Sequence, residues 1–230
     1  MIKENLLNVN ERIQAACDRV GRNRSEVTLI AVSKTKPVSM IEEVMSEGIV
    51  DFGENKVQEL CDKTETITTP LNWHMIGHLQ RNKVKYLVDK VCLIHSVDSL
   101  RLAKQISEEA NKKTTTVNVL VEVNIANEDT KFGVSKEEVL PLLLEIAKLP
   151  NIKVKGLMTI APFVDNPEDN RVHFANLRNL LIDIKSKNID NIDMDILSMG
   201  MTGDYEIAIE EGATMVRVGT GIFGQRNYNI

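Results

Sequence analysis

Lys34 is the first residue with chemistry to offer, because it closes the largely apolar, β-branched run Val27-Thr-Leu-Ile-Ala-Val-Ser33. An ammonium at the end of such a run loses part of its hydration, so its neutral amine becomes accessible and can condense with an aldehyde. The plainer reading is that Lys34 marks the place where a strand meets water. Lys36 shares its parity, but Pro37 holds the chain extended there and turns Lys36 outward. Two loops near the other end, Ser198-Met-Gly-Met-Thr-Gly203 and Gly219-Thr-Gly-Ile-Phe-Gly224, combine hydroxyls with glycines. Glycine lets backbone N–H groups approach phosphate oxygens closely, although both loops could equally be tight turns.

Arg217 interrupts the apolar strand Thr-Met-Val-Arg-Val-Gly219, and a guanidinium placed there needs acceptors. A buried carboxylate or a ligand nitrogen would serve. Asn55 closes Phe52-Gly-Glu-Asn55 and can either cap a following helix or reach a ligand. His74 and His78 stand four apart, but Gly77 intervenes, no Glu lies between them in zincin fashion and no third ligand can be nominated. The Gly-x-Gly-x-x-Gly at 219–224 matches a dinucleotide fingerprint only in isolation. No second βαβ unit and no acidic residue about 20 positions on follow it.

These residues must be positioned by an alternating series of elements. An amphipathic helix over 3–20 precedes a buried strand over 27–32. Ser39 with Glu42 reads as a capping box for a helix that stops at Gly48. The pattern then gives a strand at 49–52, helix 55–67, strand 72–76, helix 80–89, strand 91–95, helix 98–112, strand 116–124 and helix 136–148. Ser135 with Glu138 is a second capping box, and Pro141 is expected to disturb the early turns of that helix. A strand at 153–159, a long helix 167–188 opened by Asn166-Pro167, a strand 195–198, a helix 203–211 and a strand 214–218 complete the series. Eight strands alternating with helices predict an α/β fold, a single (β/α)₈ TIM-type barrel with an extra N-terminal helix, over a doubly wound open sheet. In such a barrel reactive groups line the C-terminal rim, and loops after strands seven and eight commonly hold phosphate, which is where the two glycine loops fall.

Taken together, Ala31-Val-Ser-Lys-Thr-Lys-Pro37, Phe52-Gly-Glu-Asn-Lys-Val-Gln-Glu59, Trp73-His-Met-Ile-Gly-His-Leu-Gln-Arg-Asn-Lys83, Lys155-Gly-Leu-Met158, Leu197-Ser-Met-Gly-Met201 and Arg217-Val-Gly-Thr-Gly-Ile-Phe-Gly224 resemble the pyridoxal phosphate homeostasis protein family from one end of the chain to the other. The resemblance implies a one-domain counterpart, over residues 1–230, of the barrel in alanine racemases and eukaryotic-type ornithine decarboxylases. It implies pyridoxal 5′-phosphate held as a Schiff base on Lys34, with Arg217 facing the pyridine nitrogen and Asn55 close to the ring. Ser198, Gly219 and Thr220 match the phosphate-binding positions, with Met199 and Gly200 beside them. The expected role is a non-catalytic carrier and buffer of the cofactor that passes it to dependent apoenzymes, with an amino-acid racemase as the alternative. Arginine keeps its proton near neutral pH, so it leaves the pyridine nitrogen unprotonated and the ring a weaker electron sink. Racemases of this type draw a tyrosine from an additional domain, and Tyr86, Tyr205 and Tyr228 match no such segment here.

Composition narrows the remaining options. With 28 basic and 33 acidic residues the net charge is −5, which argues against nucleic acid or an anionic membrane as partner. Only 4% of residues are aromatic, and no stretch approaches the roughly 18 apolar residues that span a bilayer. Three scattered cysteines, Cys17, Cys61 and Cys92, fit a reducing compartment, so the cytoplasm is expected, and a monomer is expected because no exposed apolar helix stands out. Arg81, Lys83 and Lys85 form a basic cluster read as a solvated face.

Overall fold

The computed structural model describes residues 1–128 and 130–225. Eight parallel strands close into a barrel in sequence order. They are β1 (Thr28–Val32), β2 (Asp51–Glu54), β3 (Asn72–Met75), β4 (Leu93–Val97), β5 (Val117–Glu122), β6 (Ile152–Met158), β7 (Ile192–Met201) and β8 (Met215–Val218). β8 pairs back onto β1, with Ile30 opposite Arg217. The helices are α1 (Ile2–Arg19), α2 (Val38–Ser46), α3 (Val57–Thr66), α4 (Leu100–Lys112), α5 (Lys136–Ile146), α6 (Arg171–Ser186), α7 (Tyr205–Glu210) and α8 (Thr220–Phe223). The predicted barrel with its leading helix is therefore the fold, and the open-sheet alternative is not.

Side chains on a strand alternate between the helix layer and the barrel bore. Leu29, Ala31, Phe52, Trp73, Met75, Ile94, Val216 and Val218 belong to the main core beneath the helices. A second, small cluster of Leu93, Leu120 and Met158, backed by Ile196 and Met215, lies apart from it. The opposite parity of β3, β4, β7 and β8 carries the buried polar residues His74, His95, Ser198 and Arg217. The bore is thus partly polar, which obliges its groups to satisfy one another.

α1 buries Ile2, Leu6, Val9, Ile13, Ala16 and Cys17 and packs on α7 and α8. Asn5 Nδ2 donates to the Ile222 carbonyl at 2.9 Å, and Arg19 spans Glu206 and Glu210. The extra helix therefore braces the segments that follow β7 and β8.

Several local expectations are corrected. The stretch 80–89 contains a 3₁₀ turn, Arg81–Tyr86, although its buried residues Val84, Leu87 and Val88 keep the spacing of an α-helical stripe. Ser39 and Glu42 form no capping box, since α2 begins two residues earlier with Pro37 at its N-cap. The box at Ser135 and Glu138 is present. α5 runs through Pro141, whose missing N–H would have met the Glu137 carbonyl in the exposed first turn. β7 is much longer than expected, and the short α8 carries no sequence period long enough to reveal it.

The β6 register shifts on both sides around Gly156. A Cβ there would stand 1.9 Å from the Ile196 carbonyl oxygen. Gly156→Ala is expected to destabilise the barrel by about 3 kcal/mol, read as a lowered midpoint in urea denaturation.

Candidate functional site

The end of β1 is fixed from below before Lys34 is presented. Ser33 Oγ donates to Glu54 Oε1 at 2.6 Å, and the Lys63 ammonium, buried on α3, donates to the Ser33 carbonyl, Glu54 Oε1 and Glu59 Oε1 at 2.8, 2.7 and 2.7 Å. Glu59 Oε1 also accepts from the Thr35 N–H at 2.5 Å. Thr35 has φ of 62°, an uncommon conformation for a β-branched residue, so this clamp holds a strained turn directly after Lys34. Burial pushes the Glu54 carboxyl up, and Lys63 works against that shift. Sequence reading missed Lys63. Its only local signal, Glu59 four residues earlier, looks like an ordinary surface pair.

Lys34 opens into a cavity of about 470 Å³ at the C-terminal rim. Of the residues singled out above, Lys34, Asn55, Arg217, Gly219 and Thr220 line it. Ser198, Met199 and Gly200 do not. Ser198 is fully buried behind Arg217, and Met199 points into the main core. Gly200 has φ of +89°, and a Cβ there would meet Ala208 and Tyr205 at 2.6 and 2.9 Å, so its lack of a side chain lets α7 close onto β7. The wall that β7 provides comes instead from the next residues, Met201, Thr202, Gly203 and Asp204. Thr202 Oγ1 accepts from the Gly221 N–H at 3.3 Å, which ties the segment after β7 to the one after β8. Lys36 is turned away, with its ammonium on the carbonyls of Phe223 and Gly224 at 3.2 and 3.4 Å.

Arg217 is 4% exposed. Its Nη1 donates to Ser198 Oγ at 2.5 Å and its Nη2 to the Thr159 carbonyl at 2.8 Å. Among the described residues no carboxylate lies within ion-pair distance of it, so the acceptors left open by the sequence are a hydroxyl and a peptide carbonyl. Burial lowers it to about 10, and it stays charged at neutral pH. Asn55 Oδ1 is buried and has no hydrogen-bond partner, and the N-cap of α3 is Lys56 and not Asn55. An unsatisfied amide oxygen on a cavity wall costs about 1–3 kcal/mol unless a ligand donates to it.

The other titratable groups on the wall are engaged. Lys131 donates to the Ala161 carbonyl at 3.0 Å and pairs with Glu128. Asp204 Oδ1 accepts from the Met201 N–H at 2.7 Å and its Oδ2 from Asn170 Nδ2 at 2.8 Å. His74 and His78 part company: His74 lies in the bore, whereas His78 sits at the rim, stacked on Phe132 and 3.4 Å from Asp98. Among the described residues no group of three or more potential ligands could hold a metal ion. Lys83 and Lys85 of the basic cluster lie over the exposed Tyr86 ring.

Comparison with known proteins decides the family. The pyridoxal phosphate homeostasis protein of Aquifex aeolicus is 48% identical over 226 residues, 98% of each chain, and that of Escherichia coli K12 is 40% identical over 233 residues, 99% of this chain and 98% of the other. The chain belongs to the pyridoxal phosphate homeostasis protein family. A family model described as the alanine racemase N-terminal domain matches residues 5–227. PipY of Synechococcus elongatus PCC7942, solved with PLP bound, superposes with a TM-score of 0.84 at 32% identity, over 97% of this chain and all of the other. An alanine racemase of Clostridium difficile 630 superposes at 0.76 with 17% identity over 99% of this chain but 57% of its own, a likeness of fold alone. The resemblance read from the sequence motifs is thereby borne out. Among the described residues no helix of this family member is long and apolar enough to cross a membrane.

Glu122, at the end of β5, is a further buried titratable group at this end of the barrel. Burial, reinforced by Asp98 and opposed by Arg217, raises its carboxyl from 4.5 to about 7. The folded chain therefore keeps a proton that the unfolded chain releases earlier, and stability falls as pH rises from about 4.5 to about 7. Glu122→Gln is expected to abolish that slope and to add about 3 kcal/mol at pH 8 while changing little at pH 4, measured by urea denaturation at both values.

Proposed function

We propose that the chain binds pyridoxal 5′-phosphate in this cavity and serves as a non-catalytic carrier and buffer of it. The observation that carries the reading is the meeting of Lys34, buried Arg217 and the orphaned Asn55 Oδ1 on one cavity wall, beside the Thr202–Gly203 and Gly219–Thr220 segments. The names of close relatives and the PLP held by PipY support it. When bound, the cofactor supplies a reactive aldehyde and an electron-withdrawing ring. Lys34 would hold the aldehyde end through its amine. Arg217 would donate to the pyridine nitrogen, and Asn55 would accept from a ring substituent. Gly219, Thr220, Thr202 and Gly203 would hold the phosphate through backbone N–H groups and hydroxyls, with Ser198, Met199 and Gly200 supporting that wall from behind.

The same residues argue against turnover. Arg217, charged at neutral pH, offers the ring nitrogen a hydrogen bond but no proton, which weakens the electron sink that carbanion chemistry needs. Racemisation also needs a second base opposite the lysine. Lys131 and Asp204 are the wall's other ionisable side chains with a proton to exchange, and both are held by other partners. Tyr86 and Tyr205 do not line the cavity, and Tyr228 lies outside the described residues. Phe163 stands 98% exposed at the mouth with Ile160 and Met201 beside it, an apolar rim suited to brief contact with an apoenzyme receiving the cofactor. A single-domain cytoplasmic monomer completes the reading.

Protein mixed with pyridoxal 5′-phosphate is expected to turn yellow, and borohydride reduction followed by peptide mapping is expected to place the pyridoxyl group on Lys34. Label scattered over surface lysines and absent from Lys34 would end this reading. Arg217→Ala is expected to weaken cofactor affinity about tenfold or more while the chain stays folded by circular dichroism. Chiral chromatography after incubation with single L-amino acids is expected to show no D-isomer; D-isomer formation lost in Lys34→Ala would make the chain a racemase.

A further inference from the structure

The buried polar groups of the bore are connected end to end. Arg217 Nη1 meets Ser198 Oγ at 2.5 Å, Ser198 Oγ meets His95 Nδ1 at 2.9 Å, His95 Nε2 meets His74 Nδ1 at 2.9 Å, and His74 Nε2 meets Asp51 Oδ1 at 3.0 Å. The links come from β8, β7, β4, β3 and β2, so the chain crosses the barrel from the cavity wall to the opposite, N-terminal end of the strands.

We infer that Asp51, His74, His95 and Ser198 form a one-way hydrogen-bond relay that positions Arg217 at the cavity, an inference that rests on the cofactor reading above only for its functional consequence. The two ends dictate the direction. A guanidinium can only donate, and an ionised carboxylate can only accept. Asp51 therefore requires the proton of neutral His74 to be on Nε2, which leaves His74 Nδ1 as an acceptor. His95 must then donate from Nε2, and its Nδ1 becomes the acceptor for the Ser198 hydroxyl. Ser198 Oγ, having given its hydrogen to His95, is free to accept from Arg217. Every link points from the arginine toward the carboxylate, and aligned links polarise one another in a low-dielectric interior.

The surroundings of His95 agree with a neutral imidazole. Burial first, then the nearness of His74 and Arg217, holds His95 far below the usual histidine range. Besides Arg217, the groups that face the relay are Cys92, just before β4, with Sγ 3.5 Å from His74 Nε2, and Asn72 from β3, whose amide donates to Asp51 Oδ1 at 3.1 Å. Neither supplies the terminal charge, because the Cys92 thiol donates to the Trp73 carbonyl at 3.3 Å and is raised by burial and further by nearby Asp51, and the Asn72 amide is neutral. Asp51, His74, His95 and Ser198 are positioning residues: they act on a bound ring only through Arg217. Their effect is to make Ser198 Oγ a richer acceptor and to pin one arm of the guanidinium, while Thr159 pins the other.

Nitrogen-15 NMR of the full chain with labelled histidine, recorded with and without pyridoxal 5′-phosphate, tests the direction. Both His74 and His95 are expected as neutral Nε2–H tautomers; a His95 proton on Nδ1 would overturn the relay. The consequence is read separately, as affinity for pyridoxal 5′-phosphate and as the absorption of the bound chromophore. His95→Phe is expected to weaken binding about tenfold and to shift the absorption, and Asp51→Ala, at the solvent edge where folding is safe, to weaken it about threefold. Asp51→Asn, whose Oδ1 can still accept but whose charge is gone, should recover part of the affinity lost in Asp51→Ala, and Lys34 should remain the reduced position throughout. Wild-type affinity and spectrum in folded Asp51→Ala would also overturn the relay. Failure of the wild-type chain to take up any pyridoxal 5′-phosphate would instead sink the cofactor reading, and the tautomers would still decide the relay.

Discussion

The mouth of the barrel is organised around one guanidinium carried into a space from which water is excluded. Moving such a charge out of water costs several kcal/mol after relaxation, and an ion pair is the usual compensation. Arg217 has none among the described residues. It is held by a hydroxyl, a peptide carbonyl and the more distant carboxylates of Glu122 and Asp204. Burial lowers Arg217 to about 10 and it stays charged, whereas Glu122, raised to about 7, is only partly ionised near neutral pH. The site therefore presents net positive potential to the cavity. That favours an anionic ligand with an acceptor placed against the arginine, and it disfavours a ligand that must be protonated there.

A second constraint is mechanical. An amine that has to meet a ligand already fixed elsewhere must be placed to a fraction of an ångström, and lysine is among the most flexible of side chains. The chain answers by immobilising the backbone beneath it. Lys63, Glu54, Glu59, Ser33 and the strained Thr35 turn form a knot, buried at Lys63, Glu54 and Ser33, under the end of β1. This is an ionic cluster of the kind that contributes little net stability and much specificity of geometry. α1 does similar work on the opposite side, bracing α7 and α8 so that Thr202 and Gly221 stay joined.

Legibility followed locality. The barrel could be read because its strands are continuous apolar runs and its helices are amphipathic at the proper period, so each element announces itself within ten or fifteen residues. Lys34 and Arg217 could be singled out because each breaks such a run. The 3₁₀ turn over Arg81–Tyr86 and the four-residue α8 are too short to have a period. Lys63, His74 and His95 were illegible as a group for a different reason: most of their partners come from other strands, neighbouring ones for Lys63 and His74 and one across the closed barrel for the His95–Ser198 contact. The offset of the β7 wall from Ser198–Gly200 to Met201–Asp204 has the same origin, since strand length at a barrel rim is set by neighbours and not by the strand's own residues.

Closure is also what creates the site. Lys34 follows the first strand and Arg217 lies on the last, and in an open sheet wound in two directions nothing would oblige those strands to touch. Here β1 and β8 are hydrogen-bonded neighbours with Ile30 beside Arg217, so the amine and the guanidinium look into the same cavity only because the sheet has curled through all eight strands. The polar bore makes the dependence mutual. Neighbouring strands bring Asp51, His74 and His95 together, but His95 and Ser198 can satisfy one another only across a closed interior, and left apart each would be a desolvated polar group at a cost of about 1–3 kcal/mol. The residues that give the cavity its chemistry and the residues that reward closure of the barrel are thus joined in one hydrogen-bonded chain through Arg217.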